Sequence, residues 1–205
     1  SFPLNKLTTN DLQQFCAWMK SDDHISGNGI ADSQIRNCYS LCHRALEKAR
    51  TEHLISRDPT DGFKLPPVRC EEMKILSREA MQKLLIQAKE ENYYELFLLE
   101  LATGLRLGEI AALQWDDLNL TTGELRINKQ AGTNGPDVVI CEPKTKAAVR
   151  TLILPPSVLK VMREYRARVD SLWMFPSSKK EDSPMRQSSI HLRLHRILDH
   201  AGCDR

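Results

Sequence analysis

The sequence predicts a mainly α-helical protein with one small antiparallel sheet of three strands, an α+β fold. Apolar residues recur at helical spacing at both ends of the 205-residue chain. Three short alternations of apolar and polar residues between positions 125 and 154 predict the strands. A stretch rich in proline and glycine, from Arg57 to Met73, indicates a linker. We therefore expect a helical domain at 1–58, a linker at 59–74 and a second domain at 75–205.

The first domain is predicted to contain two helices. A start resembling a capping box at Thr8 precedes apolar residues at helical spacing, which predicts a first helix from Thr9 to Lys20. A second helix is predicted from Ala31 to Glu52. Its expected inner face is apolar and consists of Ile35, Cys38, Leu41, Cys42, Ala45, Leu46 and Ala49.

The opposite face of the second helix combines positive charge with small hydrogen-bonding side chains. It consists of Ser33, Arg36, Asn37, Ser40, His43 and Arg44. Arginine neutralises phosphates, and serine and asparagine can hydrogen-bond to base edges, so this composition suits a helix that lies in a DNA groove. These residues leave open the alternative of an ordinary solvent-exposed face.

The second domain is predicted to begin with two helices, from Ser77 to Glu91 and from Tyr94 to Thr103. A short helix over 107–113 follows. The three strands are centred on alternating apolar pairs, with a turn at 132–136 between the first two: Leu125 and Ile127, Val138 and Ile140, and Leu152 and Leu154. Helices return over 156–171 and 187–201.

An octet from Ala102 to Glu109 is the most informative part of the chain. It sets Arg106 between Gly104 and Gly108, with the carboxylate of Glu109 three residues after the arginine. Glycine permits a tight turn and the close approach of a polyanion, and guanidinium is a planar, permanently charged fork that matches two phosphate oxygens. The octet predicts a phosphate clamp in which Glu109 holds the guanidinium in one pose. The alternative is a helix-breaking turn with a surface Arg–Glu pair.

An ordered series of segments follows the octet. Residues 114–120 lead to 123–127, and after a second extended run come 143–146 and 150–155. In this order the segments resemble the catalytic domain of the tyrosine recombinases, the phage-type integrases. The resemblance extends from about Ser77 to the C-terminus, and the preceding helices resemble the core-binding domain of that family.

The resemblance implies transesterification at a DNA phosphodiester without a metal or nucleotide cofactor. This reaction needs a nucleophile, stabilisation of charge on the non-bridging oxygens and a proton for the leaving 5′ oxygen. Arg106 matches the family's first catalytic arginine, and Lys144 matches its catalytic lysine, a general acid. Lys146 lies in the same turn and competes for that role. Both lysines could instead bind backbone phosphates. We also expect Glu109 to support Arg106, and we expect Lys146 and Arg150, which belong to a locally basic stretch, to bind DNA.

Part of the family's pattern is not found in this sequence. The family continues with a His-x-x-Arg box, a later His or Trp and a nucleophilic tyrosine near its C-terminus. The segment from His191 to His195 resembles the box only superficially, because Leu194 stands where arginine is needed. None of the four tyrosines matches the nucleophile's position: Tyr39, Tyr93, Tyr94 and Tyr165. We therefore expect an incomplete catalytic domain without its nucleophile, and also expect that an N-terminal arm-binding domain is missing.

Composition limits the other classes of protein. The net charge of +2 is too small to indicate nucleic-acid binding, although residues 144–168 contain seven basic residues against one acidic residue. The basic residues are Lys144, Lys146, Arg150, Lys160, Arg163, Arg166 and Arg168. No apolar run approaches the roughly 20 residues of a membrane span, and Ser1-Phe2-Pro3 does not open a signal peptide, which predicts a cytoplasmic protein.

The cysteines predict reduced, buried thiols. They show no CxxC spacing and lie mostly among apolar residues: Cys16, Cys38, Cys42, Cys70, Cys141 and Cys203. Cys38, Cys42 and His43 suggest a zinc site at first sight. A second pair of ligands does not occur elsewhere in the sequence, so we expect no metal.

These observations together predict a fragment of a site-specific DNA recombinase from a prophage or an integrative mobile element. The resemblance implies that the intact protein would bind double-stranded DNA, cut one strand, hold a 3′-phosphotyrosyl bond and rejoin the strand. The resemblance also implies that the intact protein is a tetramer on DNA, and we expect this chain to be a monomer. The main alternative is a non-catalytic DNA-binding protein, either a decayed integrase or a regulator, and a structural helical adaptor is the third.

Overall fold

The computed structural model describes residues 3–21, 29–65, 67, 75–143, 148–180 and 182–203. The chain divides into two compact units, residues 1–73 and residues 74–205. Most of the regular structure is helical, and the strands pair antiparallel. This architecture confirms the predicted mainly α composition with small antiparallel sheets.

Two helices, α1 (Thr9–Lys20) and α2 (Asp32–Thr51), organise the first unit. The Thr8 hydroxyl accepts a hydrogen bond from the Asp11 N–H at 3.3 Å, and Asp11 Oδ2 accepts one from the Thr8 N–H at 2.8 Å. This reciprocal pair is a capping box, and it fixes the start of α1 where the sequence predicts it.

Helix α2 packs through two small apolar clusters. One is built from Cys16, Met19 and Ile35, and the other from Leu46, Ala49 and Ile55. The predicted inner face was too wide, since Cys38, Leu41 and Ala45 are exposed. Helix α1 has 12 residues and α2 has 20, so at about 1.5 Å per residue α1 is too short to cover the whole apolar face of α2.

The segment after α2 also packs into the first unit. Asp58 and Thr60 are buried, and Asp58 Oδ1 accepts hydrogen bonds from both the N–H and the hydroxyl of Thr60, at 2.8 and 2.6 Å. Phe63 stacks on Tyr39 with ring centroids 4.6 Å apart. The first residues of the predicted linker, 59–74, therefore contribute contacts to this unit.

The described part of the second unit contains five α-helices: α3 (Arg78–Glu90), α4 (Tyr94–Thr103), α5 (Leu107–Ala111), α6 (Pro156–Arg166) and α7 (Gln187–His200). Helix α6 ends five residues before the predicted position 171. The chain turns there because Arg166 Nη1 donates to the Val169 carbonyl at 2.6 Å, and Val169 packs against the core. Helix α3 packs against α4 and α7, and α4 packs against α6.

The described residues of this unit include four strands, which form two antiparallel pairs: β1 (Glu124–Ile127) with β4 (Arg150–Ile153), and β2 (Gln130–Asn134) with β3 (Asp137–Cys141). In register, Leu125 lies opposite Leu152, and Ala131 lies opposite Ile140. The structure differs here from the predicted single sheet of three strands. Strand β2 was missed because Ala131 is its one buried residue, so its sequence lacks a recognisable apolar alternation.

The core of the second unit joins the helices to β1. Its fully buried large side chains are Leu84, Phe97, Leu99, Ile110, Leu125, Ile127, Met162, Met174, Ile190 and Ile197. Burial of each such side chain contributes roughly 1.5–3 kcal/mol. Ile110 anchors the short helix α5 in this core, so the turn that carries Arg106 rests on a rigid base.

Gly108 allows α5 to lie close to its neighbours. A Cβ atom at this position would lie 2.8 Å from Gln187 Nε2 and 3.1 Å from the Ala131 carbonyl oxygen. Gln187 Nε2 donates a hydrogen bond to that same oxygen and so ties α7 to β2 beside α5. The sequence predicted that this glycine admits a polyanion, whereas the structure shows that it admits the packing of α5 against α7 and β2.

Five cysteines lie in the described part of the chain, and all five are free thiols. Cys16 is buried as predicted, but Cys38 and Cys141 are exposed, so the prediction of burial was wrong for these two; Cys70 lies outside the described residues. Within the described ranges, no three or more His, Cys, Asp or Glu side chains are grouped to hold a metal ion. A helix long and apolar enough to cross a membrane is likewise not found there.

The residue that ends α4 provides a test of the turn before Arg106. Gly104 has φ of 62°, in the left-handed region, and its N–H donates to the Glu100 carbonyl at 2.8 Å. Because a Cβ atom is strained in this conformation, Gly104→Ala should lower the free energy of unfolding by about 1 kcal/mol. Gly104→Asn should cost less, since asparagine tolerates this region better. Urea denaturation measures both changes, and equal losses of stability in the two variants would contradict the left-handed conformation of Gly104.

Candidate active site

Arg106 lies at the junction of α4 and α5. After Gly104 reverses the chain, Leu105 is buried and Arg106 takes the extended conformation of a helix N-cap, with φ of −70° and ψ of 150°. Leu105 and Ile110 hold both sides of the turn in the core. The Arg106 side chain points outward and is 76% exposed. The local sequence thus presents one guanidinium to solvent on a buried base.

Glu109 lies beneath Arg106 and is buried, with 5% of its surface exposed. Its Oε2 accepts a hydrogen bond from the Arg106 backbone N–H at 3.0 Å, and its Oε1 accepts one from Arg106 Nη1 at 3.1 Å. A glutamate at the third position of a helix commonly reaches back to the N-cap in this way. The predicted contact between the two side chains is therefore present, and the catalytic roles stay predictions.

Arg150, at the start of β4, binds the same carboxylate. Its Nη1 donates to Glu109 Oε1 at 2.9 Å and its Nη2 donates to Glu109 Oε2 at 2.8 Å, which is a bidentate pair. Nη1 also donates to the Ala148 carbonyl at 3.2 Å. The structure places the Arg150 guanidinium on a carboxylate of its own chain, and the DNA binding that the sequence predicted for Arg150 stays a prediction. Two arginines around one carboxylate leave the cluster with a net charge of about +1.

The pKa of Glu109 reflects these contacts. Hydrogen bonds from Arg150, opposed by the effect of burial and assisted by the hydrogen bonds from Arg106, lower the pKa of the Glu109 carboxyl to about 2. The same pairing raises the pKa of the Arg150 guanidinium. The carboxylate therefore stays ionised at neutral pH, with both arginines hydrogen-bonded to it.

Lys144 and Lys146 lie outside the described residues, in the segment that connects β3 to β4. That segment leads directly into Arg150 at the start of β4. The choice between the two lysines as proton donor stays open.

The basic stretch at 144–168 is in part a set of internal contacts. Arg163 Nε donates to the Leu120 carbonyl at 2.7 Å, and Arg168 forms an ion pair with Glu95. Arg166 lies over the Trp115 ring, 5.1 Å from its centroid. These three arginines are exposed, so they remain part of the surface while they contact other residues of the second unit; among these contacts only the one to Glu95 pairs an arginine with an opposite charge.

The polar face of α2 is largely open to solvent. Ser33, Asn37, Ser40 and Arg44 are exposed, and Arg36 and His43 are partly buried. His43 Nδ1 lies 2.6 Å from the Thr60 hydroxyl, which already donates to Asp58, so the imidazole N–H donates to that oxygen. The His43 ring also stacks nearly parallel to Tyr39. His43 is therefore held in one orientation on a face whose role in DNA binding stays a prediction.

Two contacts around the site lacked a clear signal in the sequence. Lys129 Nζ lies 2.8 Å from a carboxylate oxygen of Asp117 and 2.8 Å from Gln114 Oε1, which ties the turn after β1 to the segment after α5. Gln187 reaches Ala131 from α7. The contact between Asp117 and Gln114 could have been predicted from the sequence, since Asp117 accepts a hydrogen bond from the Gln114 N–H at the same three-residue spacing as Glu109 and Arg106. The contacts of Lys129 with Asp117 and of Gln187 with Ala131 join residues far apart in the sequence and could not have been predicted.

The low pKa of Glu109 predicts a specific dependence of stability on pH. A carboxyl whose pKa falls from 4.5 to about 2 on folding adds up to about 3 kcal/mol of stability, present above pH 4.5 and lost as the pH falls toward about 2. Glu109→Gln should therefore lower the free energy of unfolding by about 3 kcal/mol at neutral pH and by much less near pH 2. Chemical denaturation at several pH values measures this difference. Glu142→Gln, at an exposed carboxylate, is the control, and a pH-independent loss in Glu109→Gln would contradict the assignment.

Comparisons with known proteins agree with this architecture. The sequence model of the phage integrase family matches residues 74–205. The ICEBs1 integrase of Bacillus subtilis is 24% identical over 172 residues, which are 83% of this chain and 45% of that protein. A XerC-like tyrosine recombinase of Caldanaerobacter subterraneus is 30% identical over 155 residues, which are 68% of this chain and 40% of that protein. The chain thus spans less than half the length of these relatives.

Solved structures show the same fold. An integrase of the transposon Tn1549, in complex with a circular intermediate DNA, superposes with a TM-score of 0.84 at 19% identity, covering 98% of this chain and 66% of that one. A lambda integrase dimer bound to a core site superposes with a TM-score of 0.71 at 13% identity, covering 99% of this chain and 68% of that one. At these identities the likeness concerns the fold alone. Because the family match covers more than half of the sequence, the chain belongs to the phage integrase family of tyrosine recombinases.

Proposed function

We propose that this chain is the DNA-binding part, and a portion of the active site, of a site-specific DNA recombinase. The observation that carries the proposal is the cluster of Arg106, Glu109 and Arg150, which presents one exposed guanidinium above a buried carboxylate in a phage integrase fold. The substrate is double-stranded DNA at a recombination site. The longer protein breaks one strand and rejoins it, within the cytoplasm, as part of a prophage or an integrative element.

Arg106 supplies stabilisation of charge in this proposal. One of its five N–H donors contacts Glu109, so the others are available for two non-bridging oxygens of a phosphodiester. Negative charge grows on these oxygens in the transition state, and a fixed guanidinium stabilises that charge. Glu109 orients Arg106. Lys144, with Lys146 as the competing candidate, donates the proton to the leaving 5′ oxygen.

The nucleophile is proposed to lie outside these 205 residues. Tyr165 packs between the rings of Trp115 and Phe175, and burial, with a smaller effect of Glu95, raises the pKa of Tyr165 to about 12. A nucleophilic hydroxyl requires the opposite shift in pKa. Tyr93 is partly buried against the same core, beneath the guanidinium of Arg193. These environments support a chain that binds DNA and does not cleave it alone.

The first unit is proposed to bind DNA through the polar face of α2. Exposed Arg44 would neutralise a phosphate, and Ser33, Asn37 and Ser40 would contact backbone or base edges. The likeness to integrases whose structures contain DNA supports this partner. The longer protein would assemble as a tetramer on DNA, whereas this chain would be a monomer in solution.

The first test is DNA binding and cleavage by this chain. Its affinity for a short fluorescent duplex should fall steeply as the salt concentration rises, because phosphate contacts release counterions. Arg106→Ala should weaken binding and reduce the slope of log K against log salt by about 1. A nicked suicide substrate should yield no covalent adduct on a denaturing gel. Absence of DNA binding at low salt would contradict the proposed function, and a covalent adduct would contradict the assignment of the nucleophile.

The second test concerns the polar face of α2. Arg44→Ala should weaken binding of the same duplex by about tenfold and reduce the salt slope by about 1, since it removes one phosphate contact. Lys6→Ala removes the same charge from the 3₁₀-helix before α1 and should change affinity much less. Fluorescence anisotropy measures both affinities. Equal losses in the two variants would show that this face has no special role.

A further inference from the structure

The two arginines bind Glu109 in unequal ways. Arg150 donates to both carboxylate oxygens, at 2.9 and 2.8 Å, whereas the Arg106 side chain donates to only one oxygen, at 3.1 Å. Their exposures differ in the same sense, since 31% of the Arg150 side chain and 76% of the Arg106 side chain are exposed. Arg150 therefore forms the strong, planar pair with Glu109, and most N–H donors of the Arg106 guanidinium remain free.

Arg150 is also the better anchored of the two arginines. It begins β4, where it lies opposite Ile127 of β1, and Ile127 is fully buried in the core. Its Nη1 is further held by the Ala148 carbonyl. Arg106 is the N-cap of α5 and extends from a turn. The carboxylate of Glu109 is therefore held by an arginine of β4 as well as by Arg106.

A carboxylate paired with a single arginine favours a bidentate, charge-neutral pair. If Arg106 were that arginine, its guanidinium would form the bidentate pair with Glu109, and its positive charge would be neutralised. Arg150 prevents this by occupying both oxygens and by supplying the charge that balances the buried carboxylate. The cluster then retains a net charge of about +1, carried by the exposed arginine.

We propose that Arg150 is a positioning residue, which holds the Glu109 carboxylate in a bidentate pair and so keeps the Arg106 guanidinium oriented, charged and available for a DNA phosphate. This inference rests on the proposed function, in which Arg106 binds the phosphodiester. It replaces the direct DNA contact that the sequence predicted for Arg150, since Nη1 and Nη2 of Arg150 are both engaged with Glu109.

A double-mutant cycle in the 205-residue chain tests the proposal with a short fluorescent DNA duplex. In the wild-type background, Arg106→Ala should weaken binding by about tenfold, as expected for one charge-assisted hydrogen bond to phosphate. In an Arg150→Met background, the same change should weaken binding by less than about twofold, because Glu109 already captures Arg106. Adding Glu109→Gln to Arg150→Met should restore sensitivity to Arg106→Ala, since the neutral amide no longer captures the guanidinium.

Two variants distinguish a positioning role of Arg150 from a general effect of its charge and from an effect on folding. Arg126→Met removes one exposed charge from the neighbouring strand β1, and it should leave the tenfold effect of Arg106→Ala intact. Arg150→Lys keeps the charge, but a single ammonium cannot pair with both oxygens as a guanidinium fork does, so the effect of Arg106→Ala should fall. If Arg106→Ala weakens binding by the same factor in the Arg150→Lys background as in the wild-type background, the proposal is overturned. If Arg150→Met does not fold, Arg150→Lys and the Arg150→Met/Glu109→Gln pair decide the question.

A measurement without DNA distinguishes failure of this inference from failure of the proposed function. The NMR order parameter of the Arg106 Nε–H bond should rise in Arg150→Met, where Glu109 captures the guanidinium, and fall again when Glu109→Gln is added. An unchanged order parameter, or strictly additive losses of affinity, would overturn the role of Arg150 and leave the proposed function standing. A wild-type chain that does not bind the duplex would overturn the proposed function, while the NMR result would still decide the role of Arg150.

Discussion

A buried carboxylate between two guanidinium groups determines the geometry of the candidate site. An ionised carboxylate in the interior costs several kcal/mol unless charged partners and hydrogen bonds offset that cost. Arg150 from β4 and Arg106 from the turn before α5 supply those partners, and they hold the pKa of Glu109 at about 2. The same interaction joins a helix to a strand and orients the arginine that faces solvent. The position of Arg106 therefore depends on a residue in another element.

The packing beneath this cluster explains why it can be rigid. Helix α5 is only five residues long and would be unstable alone, but Ile110 is fully buried in the core. Gly108 lets α5 lie against Gln187 and the Ala131 carbonyl, so α7 and β2 close around it. In the proposed function, a site built on such a base loses little conformational entropy when it binds a phosphate. Preorganisation of this kind matters most for a reaction that develops charge on phosphate oxygens.

The two units contribute different properties to the proposed recombinase. The first unit has small apolar clusters and an exposed polar helix face, on which His43 is held by Thr60 and Asp58. The second unit has the large core and the arginine cluster. The phage integrase family model matches the second unit, residues 74–205, and DNA contact by the first unit stays a proposal. Several arginines of the basic stretch are exposed and also contact other residues of the second unit.

The sequence by itself determined the features that depend on neighbouring residues. Caps and apolar periodicity located α1 and α4, and the three-residue spacing of Arg106 and Glu109 indicated their contact, because such interactions close within one turn of helix. Only the tertiary structure decided the partner of Arg150, which lies 41 positions from Glu109, and the pairing of β1 with β4 across an intervening hairpin. It also decided how much of the apolar face of α2 is covered. Those outcomes depend on which surfaces pack together in the folded chain, and the spacing of residues along the sequence does not determine this.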